Sequence, residues 1–237
     1  MSGTQNENNI ANISGKIISK PEYSHDIYGE AFYYFTVEIP RLSRSEDRLS
    51  VTVSERLIPL ESLEIGKTVY VEGQFRSYNN YTGSGSKLLL TVFAREIKFV
   101  DAEDDDCKNQ NQIHLNGYIC KKPIYRTTPF GREIADILVA VNRHYNKSDY
   151  IPCITWGRNA RFTSNLKVGD NIKIWGRIQS REYQKKLESG ETITRVAYEV
   201  SIAKIEATKS KQEDESESNS EDSHNKDNGD NKNEDLK

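Results

Sequence analysis

Gly15, Pro21, Tyr23, Gly29 and Arg41 return as Gly117, Pro123, Tyr125, Gly131 and Arg143, each 102 residues later. The apolar series Phe35, Val37, Ile39 returns as Ile137, Val139, Val141 at the same shift. After one inserted residue the shift becomes 103. "EIGKTVYVEGQFRS" (64–77) then faces "KVGDNIKIWGRIQS" (167–180), matching Gly66 with Gly169 and Gly73 with Gly176. Chance does not hold register over about 65 positions, so the chain folds as two copies of one unit of roughly 95 residues.

Within each copy the apolar period is two, the signature of strands. "AFYYFTVEI" (31–39) alternates, and its counterpart "IADILVAV" (134–141) is a continuous apolar run. "TVYVEGQF" and "NIKIWGRI" are short strands with a glycine inside, which marks a bend or bulge. "YTGSGSK" (81–87) and "KKLESGET" (185–192) have the composition of hairpin tips. The short helices are expected within 55–63 and 157–166. Each copy therefore reads as about five strands with one short helix between the third and fourth, an all-β pattern that suits a small closed barrel better than a sandwich.

The copies occupy residues 9–101 and 112–208. Residues 102–111 read as an acidic linker, and residues 209–237 as a disordered acidic tail of Ser, Asn, Asp, Glu and Lys. That tail is too poor in apolar surface to offset its ordering entropy. Charge follows the same partition. Residues 1–108 hold 12 Lys and Arg against 17 Asp and Glu, residues 109–208 hold 16 against 9, and residues 209–237 hold 5 against 10. A second copy at +7 between two segments at −5 points to a polyanionic partner for that copy.

Catalytic and metal chemistry find no footing. His25, His114, His144 and His224 are scattered, and no cysteine pair has zinc spacing. "TGSGS" (82–86) lacks the Lys-Ser/Thr of a phosphate-binding loop. Carboxylates concentrate in the linker and tail, where solvation accounts for them. Cys107, Cys120 and Cys153 read as reduced thiols of a cytoplasmic protein, acting as small fillers. No run of about 18 apolar residues suggests a membrane span, and the N-terminus lacks the pattern of a secretory signal. No cofactor, no metal and no enzymatic activity are expected.

"LNG", "PIYRTTPFG", "AVNR", "SDYI…TWG", "LKVGDNIKIWGRIQSREY" and "VAYEV", spread over 112–206, resemble the oligonucleotide-binding (OB) fold of bacterial single-stranded DNA-binding proteins. The first copy resembles that family through the repeat and through "ISGKIISKPEY" and "IGKTVYVEGQF". The resemblance implies two tandem five-stranded OB barrels, a non-enzymatic coat for single-stranded DNA in replication, recombination and repair, and a homodimer presenting four folds. It implies stacking rings at Tyr145, Tyr150, Trp156 and Tyr183. Phosphate contacts are expected from Arg126, Arg143, Lys147, Arg158, Arg177, Arg181, Lys185 and Lys186. Tyr150 and Trp156, six apart on a strand, should project from one face.

In the first copy these four ring positions hold Ser43, Arg48, Ser54 and Asn80. Rings dispensable for folding are better explained by binding, so the first copy is expected to bind weakly or differently, or to serve assembly. The tail of the resembled family ends in an acidic, apolar tip that recruits replication and repair proteins. This chain ends "NKNEDLK", a poor version of it, so a solvated tail competing for the protein's own basic groove is the favoured expectation. The rival reading is an accessory protein whose folds bind RNA or other proteins.

Overall fold

The computed structural model describes residues 8–41, 43–82, 85–101, 110–186 and 190–208, with the side chains of residues 79–82, 85–87 and 185 excepted. The proposed tail (209–237), most of the proposed linker and Cys107 lie outside the described residues.

Twelve strands form among the described residues. The first half contributes β1 (Asn9–Ile17), β2 (Glu22–Ile27), β3 (Glu30–Pro40), β4 (Glu46–Ser54), β5 (Thr68–Thr82) and β6 (Gly85–Phe99). The second half contributes β7 (Asn111–Ile119), β8 (Ile124–Thr127), β9 (Glu133–Asn142), β10 (Ser148–Trp156), β11 (Asn171–Lys186) and β12 (Thr192–Thr208). The expected five strands per copy thus appear as six segments, for a local reason. β1 and β2 both pair with β3, at Ile17↔Val37 and then at Glu22↔Tyr34, so they are one strand interrupted before Pro21. Proline has no N–H to give the ladder, and Pro123 makes the same break between β7 and β8. The helix between strands is α1 (Arg158–Thr163) in the second half. In the first half it is a single 3₁₀ turn, Leu60–Ser62, opened by Pro59.

Each half closes on itself. In the first, β1 pairs with β3 and β5, β3 with β4, β5 with β6, and a parallel pairing of β4 with β6 at Val51↔Val92 completes the circuit. The second half repeats this, closing through β10 and β12 at Cys153↔Val200. Closure requires sharp curvature in β5 and β11, and the mid-strand glycines supply it. The ladders bulge at Glu72/Gly73 and Trp175/Gly176. A Cβ at Gly73 would lie 2.2 Å from the Phe93 carbonyl oxygen, and one at Gly176 2.2 Å from that of Ser201. Only glycine lets the strands approach this closely.

Inward-facing residues of the alternating strands fill both barrels. Val37, Ile39, Leu49, Val51 and Phe75 are buried in the first, and Val139, Val141, Ile151, Cys153 and Ile178 stand at the same repeat positions in the second. Cys153 replaces Val51 and acts as a small apolar filler, its thiol pushed up by burial.

The two barrels join edge to edge. β1 runs antiparallel to β7 with Asn9↔Leu115, Ala11↔Ile113 and Ile13↔Asn111. Ile113 is the repeat equivalent of Ala11, so a pseudo-twofold axis passes through that pair. The axis brings the β4 end of one barrel to the β11 bend of the other, and vice versa. At one such junction, buried Asp47 receives the Ser180 N–H (2.8 Å), the Arg177 guanidinium (3.1 Å) and two nitrogens of Arg41. At the other, buried Asp149 receives the Ser77 N–H (2.8 Å) and faces Arg143 at 3.4 Å. These two carboxylates, outside the linker and tail, are buried rather than solvated. They tie one barrel to the other.

Candidate nucleic-acid interface

Strand β10 alternates except at Ile154, which is buried although it shares a face with Tyr150 and Trp156. Asp149, Ile151, Cys153 and Thr155 turn inward and are buried, which sends Tyr150 and Trp156 to the outer face. They are 45% and 39% exposed there, so a sizeable part of each ring is left in water. Across the ladder Tyr150 meets Ala140 and Trp156 meets Ile134 on β9. A small partner such as Ala140 cannot cover a tyrosine ring.

The first barrel treats the same positions differently. Arg48 pairs with Glu38 across the strands at 3.1 Å, where the second barrel has Tyr150 and Ala140. Ser54 donates to the Glu30 carboxylate in place of Trp156. The fold accepts polar pairs on this face, so the rings of the second barrel are not a requirement of folding.

Tyr145 lies in the β9–β10 hairpin turn, closed by the Arg143 N–H donating to the Lys147 carbonyl at 2.7 Å. Tyr145 and Asn146 both take left-handed backbone angles, φ 62° and 54°. This conformation is disfavoured for a bulky residue, and it holds the Tyr145 ring 94% exposed. The turn places Tyr145 with Arg143 and Lys147 at the edge of a cleft between the barrels. Tyr183 stands apart, 37% exposed on the β11–β12 hairpin beyond the closing pair Ile154↔Ser201, with the Arg181 guanidinium 6.0 Å from its ring centroid.

The eight expected phosphate contacts divide by their present partners. Arg126 bonds Asp136 at 2.8 Å, a hydrogen bond that holds its pKa above the usual guanidinium value. Arg177 is turned to Asp47 of the other barrel, and Arg181 sits 3.9 Å from Glu199. Arg143 faces Asp149. Lys147, Arg158 at the start of α1, and Lys186 make no ion pair among the described residues. The Lys185 side chain lies outside the described part.

Phe130 was missed by sequence reasoning. It is 91% exposed at the β8–β9 turn, followed by Gly131 at φ 73°. The signal was present in "TPFG": a phenylalanine inside a Pro-Gly turn has no core to enter. Its repeat equivalent in the first barrel, Tyr28, is fully exposed as well.

A closed five-stranded barrel with a helical segment before its fourth strand, built twice, makes this a tandem OB-fold protein. The wild-type single-stranded DNA-binding protein of Thermus aquaticus has the same fold, with a TM-score of 0.63 over 85% of this chain and 93% of that one at 20% identity. Residues 110–218 match the profile described as the single-strand binding protein family. Single-stranded DNA-binding protein 3 of Clostridium acetobutylicum is 32% identical over 96 residues, covering 38% of this chain and 67% of that protein. Single-stranded DNA-binding protein A of Bacillus subtilis is 34% identical over 96 residues, covering 38% of this chain and 56% of that protein. The chain thus spans between about half and two thirds of the length of the curated relatives it matches. It belongs to the single-strand binding protein family.

Proposed function

We propose that this chain binds single-stranded DNA without catalysis, stacking bases on the outer face of its second barrel and drawing phosphates to the surrounding cations. The observation that carries this reading is the exposure of Tyr150 and Trp156 on one strand face where the first barrel places an ion pair and a serine. Every base has a π-face, so each stack contributes about 1–3 kcal/mol with little sequence preference. Tyr145, Tyr183 and Phe130 extend the set of free rings. The +7 charge of residues 109–208 supplies the salt-dependent part of the affinity.

With this reading go the coating of single strands in replication, recombination and repair, a cytoplasmic location, and a homodimer presenting four barrels. The acidic residues 209–237 are proposed to compete for the basic surface rather than to recruit partners. Among the described residues no helix is long and apolar enough to cross a membrane.

The test is a titration of the intrinsic fluorescence of Trp156 and Trp175 with oligo-dT at several salt concentrations. Saturable quenching at a fixed number of nucleotides, weakening steeply with salt, is the expected result. Absence of quenching at low salt, or binding confined to duplex or to RNA, would reject it.

A further inference from the structure

The pseudo-twofold axis creates two junctions of the same design, and their charges have diverged. At the Asp47 junction the cations are matched. Arg41 and Arg177 share Asp47, and the nearby Glu199 binds Gln179 at 2.6 Å and approaches Arg181. At the Asp149 junction a cleft of about 250 Å³ opens between the barrels. Arg76 and Arg95 of the first barrel line it together with Arg143, Lys147 and Tyr145 of the second. Among these, only Arg143 has an acidic partner within ion-pair distance among the described residues, and that partner is Asp149. Four cations thus line the cleft against one ion-paired carboxylate, with Glu72 acting on Arg95 only from beyond ion-pair distance.

The equivalent residues show where the excess arises. Val51↔Val92 and Cys153↔Val200 set the correspondence between β6 and β12, so Arg95 matches Ala203 and Thr91 matches Glu199. Arg76 matches Gln179, Lys147 matches Ser45, and Tyr145 matches Ser43. At three places the open junction carries a cation where the closed one has a neutral residue, and at two, Gln74 against Arg177 and Tyr78 against Arg181, the reverse holds. The open junction also lacks the closed junction's second carboxylate, Glu199, so its balance is the more positive.

The open junction is also incompletely bonded. The buried Nε atoms of Arg76 and Arg143 and one oxygen of Asp149 have no hydrogen-bond partner. The Arg143–Asp149 contact at 3.4 Å is an ion pair without hydrogen-bond geometry. The Arg76 guanidinium carbon lies 3.8 Å from the Phe93 ring centroid and its Nη2 donates to Gln74 at 3.0 Å, contacts that hold the guanidinium without neutralising it. Burial, and then the neighbouring Arg76, lower the pKa of Arg95. Like charges held together with donors to spare suit an anion.

We infer that this cleft binds backbone phosphates of the single strand: the strand leaves the rings of the second barrel past Tyr145 and enters the cleft, where Arg76 and Arg95 of the first barrel join Lys147 in neutralising it. The inference rests on the DNA-binding reading above. It gives the first barrel a part in binding that needs none of the four rings it lacks. An acidic protein segment would suit the charge equally. The exposed Tyr145 at the cleft's edge, in the hairpin turn that leads into the strand of Tyr150 and Trp156, favours the nucleic acid.

The test uses the full chain and the double variant R76Q/R95A, which installs the residues of the closed junction at equivalent positions. Oligo-dT of about 35 nucleotides is titrated across a salt series. Each lost phosphate contact flattens the log–log salt slope by about 0.7. The double variant should therefore lose about 1.4 from the slope and bind about twentyfold more weakly at roughly 0.1 M salt. A short oligomer of about 8 nucleotides, confined to the rings, should bind both forms alike. If the wild-type chain binds and the variant shows the same affinity and slope, this inference falls alone. If the variant binds more tightly, the cleft holds an acidic segment that competes with DNA, and the inference falls too. A wild-type chain that does not bind oligo-dT overturns both readings.

Discussion

Asp47 and Asp149 are repeat equivalents, yet Asp47→Asn and Asp149→Asn should differ sharply in stability. Asp47 neutralises Arg41 through two nitrogens and Arg177 at 3.1 Å, and also accepts the Ser180 N–H. Removing one partner of a buried ion pair costs about 3–5 kcal/mol. The arginine side chains retain 22% and 40% of their surface in water, so solvent offsets part of the loss, and about 2–3 kcal/mol is expected. Asp149 has the 3.4 Å contact with Arg143, and it accepts the Ser77 N–H and, at 3.5 Å, the Ser77 hydroxyl, both of which the asparagine oxygen can still accept. Its substitution should cost about 1 kcal/mol or less. Urea unfolding followed by far-UV circular dichroism reads the difference. With an m-value of about 2–3 kcal/mol/M, Asp47→Asn should lower the midpoint by about 1 M and Asp149→Asn by much less. Equal shifts, or a larger one for Asp149→Asn at unchanged m, would refute the claim that the two junctions differ in bonding.

The pH dependence sharpens this contrast. Burial raises the pKa of Asp149, against the opposing pull of the Ser77 N–H, Arg143 and Arg76. The folded chain then binds more protons than the unfolded one between the ordinary carboxylate value and the raised one. Stability must fall as pH rises through that window. Asp149→Asn removes this contribution, so its stability relative to wild type should improve as pH rises through the window, and a relative decline there would contradict the burial argument.

Other expectations follow from the same geometry. Trp156→Ala and Tyr150→Ala should each weaken oligo-dT binding by about 1–3 kcal/mol, from roughly fivefold to above a hundredfold, while leaving the melting temperature nearly unchanged; for Trp156→Ala the remaining signal is Trp175. Burial pushes the Cys153 thiol up. In native protein at mildly alkaline pH, Cys153 should therefore resist a thiol reagent until denaturant is added, which mass spectrometry of the labelled peptides can check. Gly176→Ala drives a Cβ to 2.2 Å from the Ser201 carbonyl oxygen, a backbone atom that cannot step aside. That substitution should cost several kcal/mol and reduce soluble yield, whereas Gly169→Ala, in open space at φ 96°, should cost only about 1 kcal/mol.

How far the chain is legible from its residues depends on whether a feature is written locally. The barrel strands are, because a period of two with one buried face survives in every copy. The bulges at Gly73 and Gly176 are also local, since a glycine inside an apolar strand has few other uses. The break of β1 from β2 is written in Pro21, and that of β7 from β8 in Pro123, although a period of two runs through each as a single strand. The junction carboxylates were illegible for the opposite reason. "SEDR" and "KSDY" look like solvated turns, and only the β1–β7 pairing, which no local period encodes, buries Asp47 and Asp149. The same pairing diverts Arg177 to an ion pair with the other barrel. Arg76 and Arg95 carry no local signal, since they stand in the copy without the rings and only the β1–β7 pairing brings them beside Arg143 and Lys147.

The internal repeat has a consequence that a symmetric dimer of single barrels could not have. Antiparallel pairing of β1 with β7 about Ala11 and Ile113 must generate two junctions, each bringing a β4-type strand end to a bulged strand of the other barrel. In a homodimer the two would be identical by symmetry, so any residue that closed one would close both. Joined in one chain, they vary independently. One holds Asp47, Arg41 and Arg177 in a matched set that fastens the barrels. The other gives up such matching for Arg76, Arg95 and Lys147 around a single carboxylate. Fastening and anion capture place opposite demands on the same geometry, the first needing charges neutralised within the protein and the second needing them left over. The duplicated chain meets both by assigning one demand to each junction.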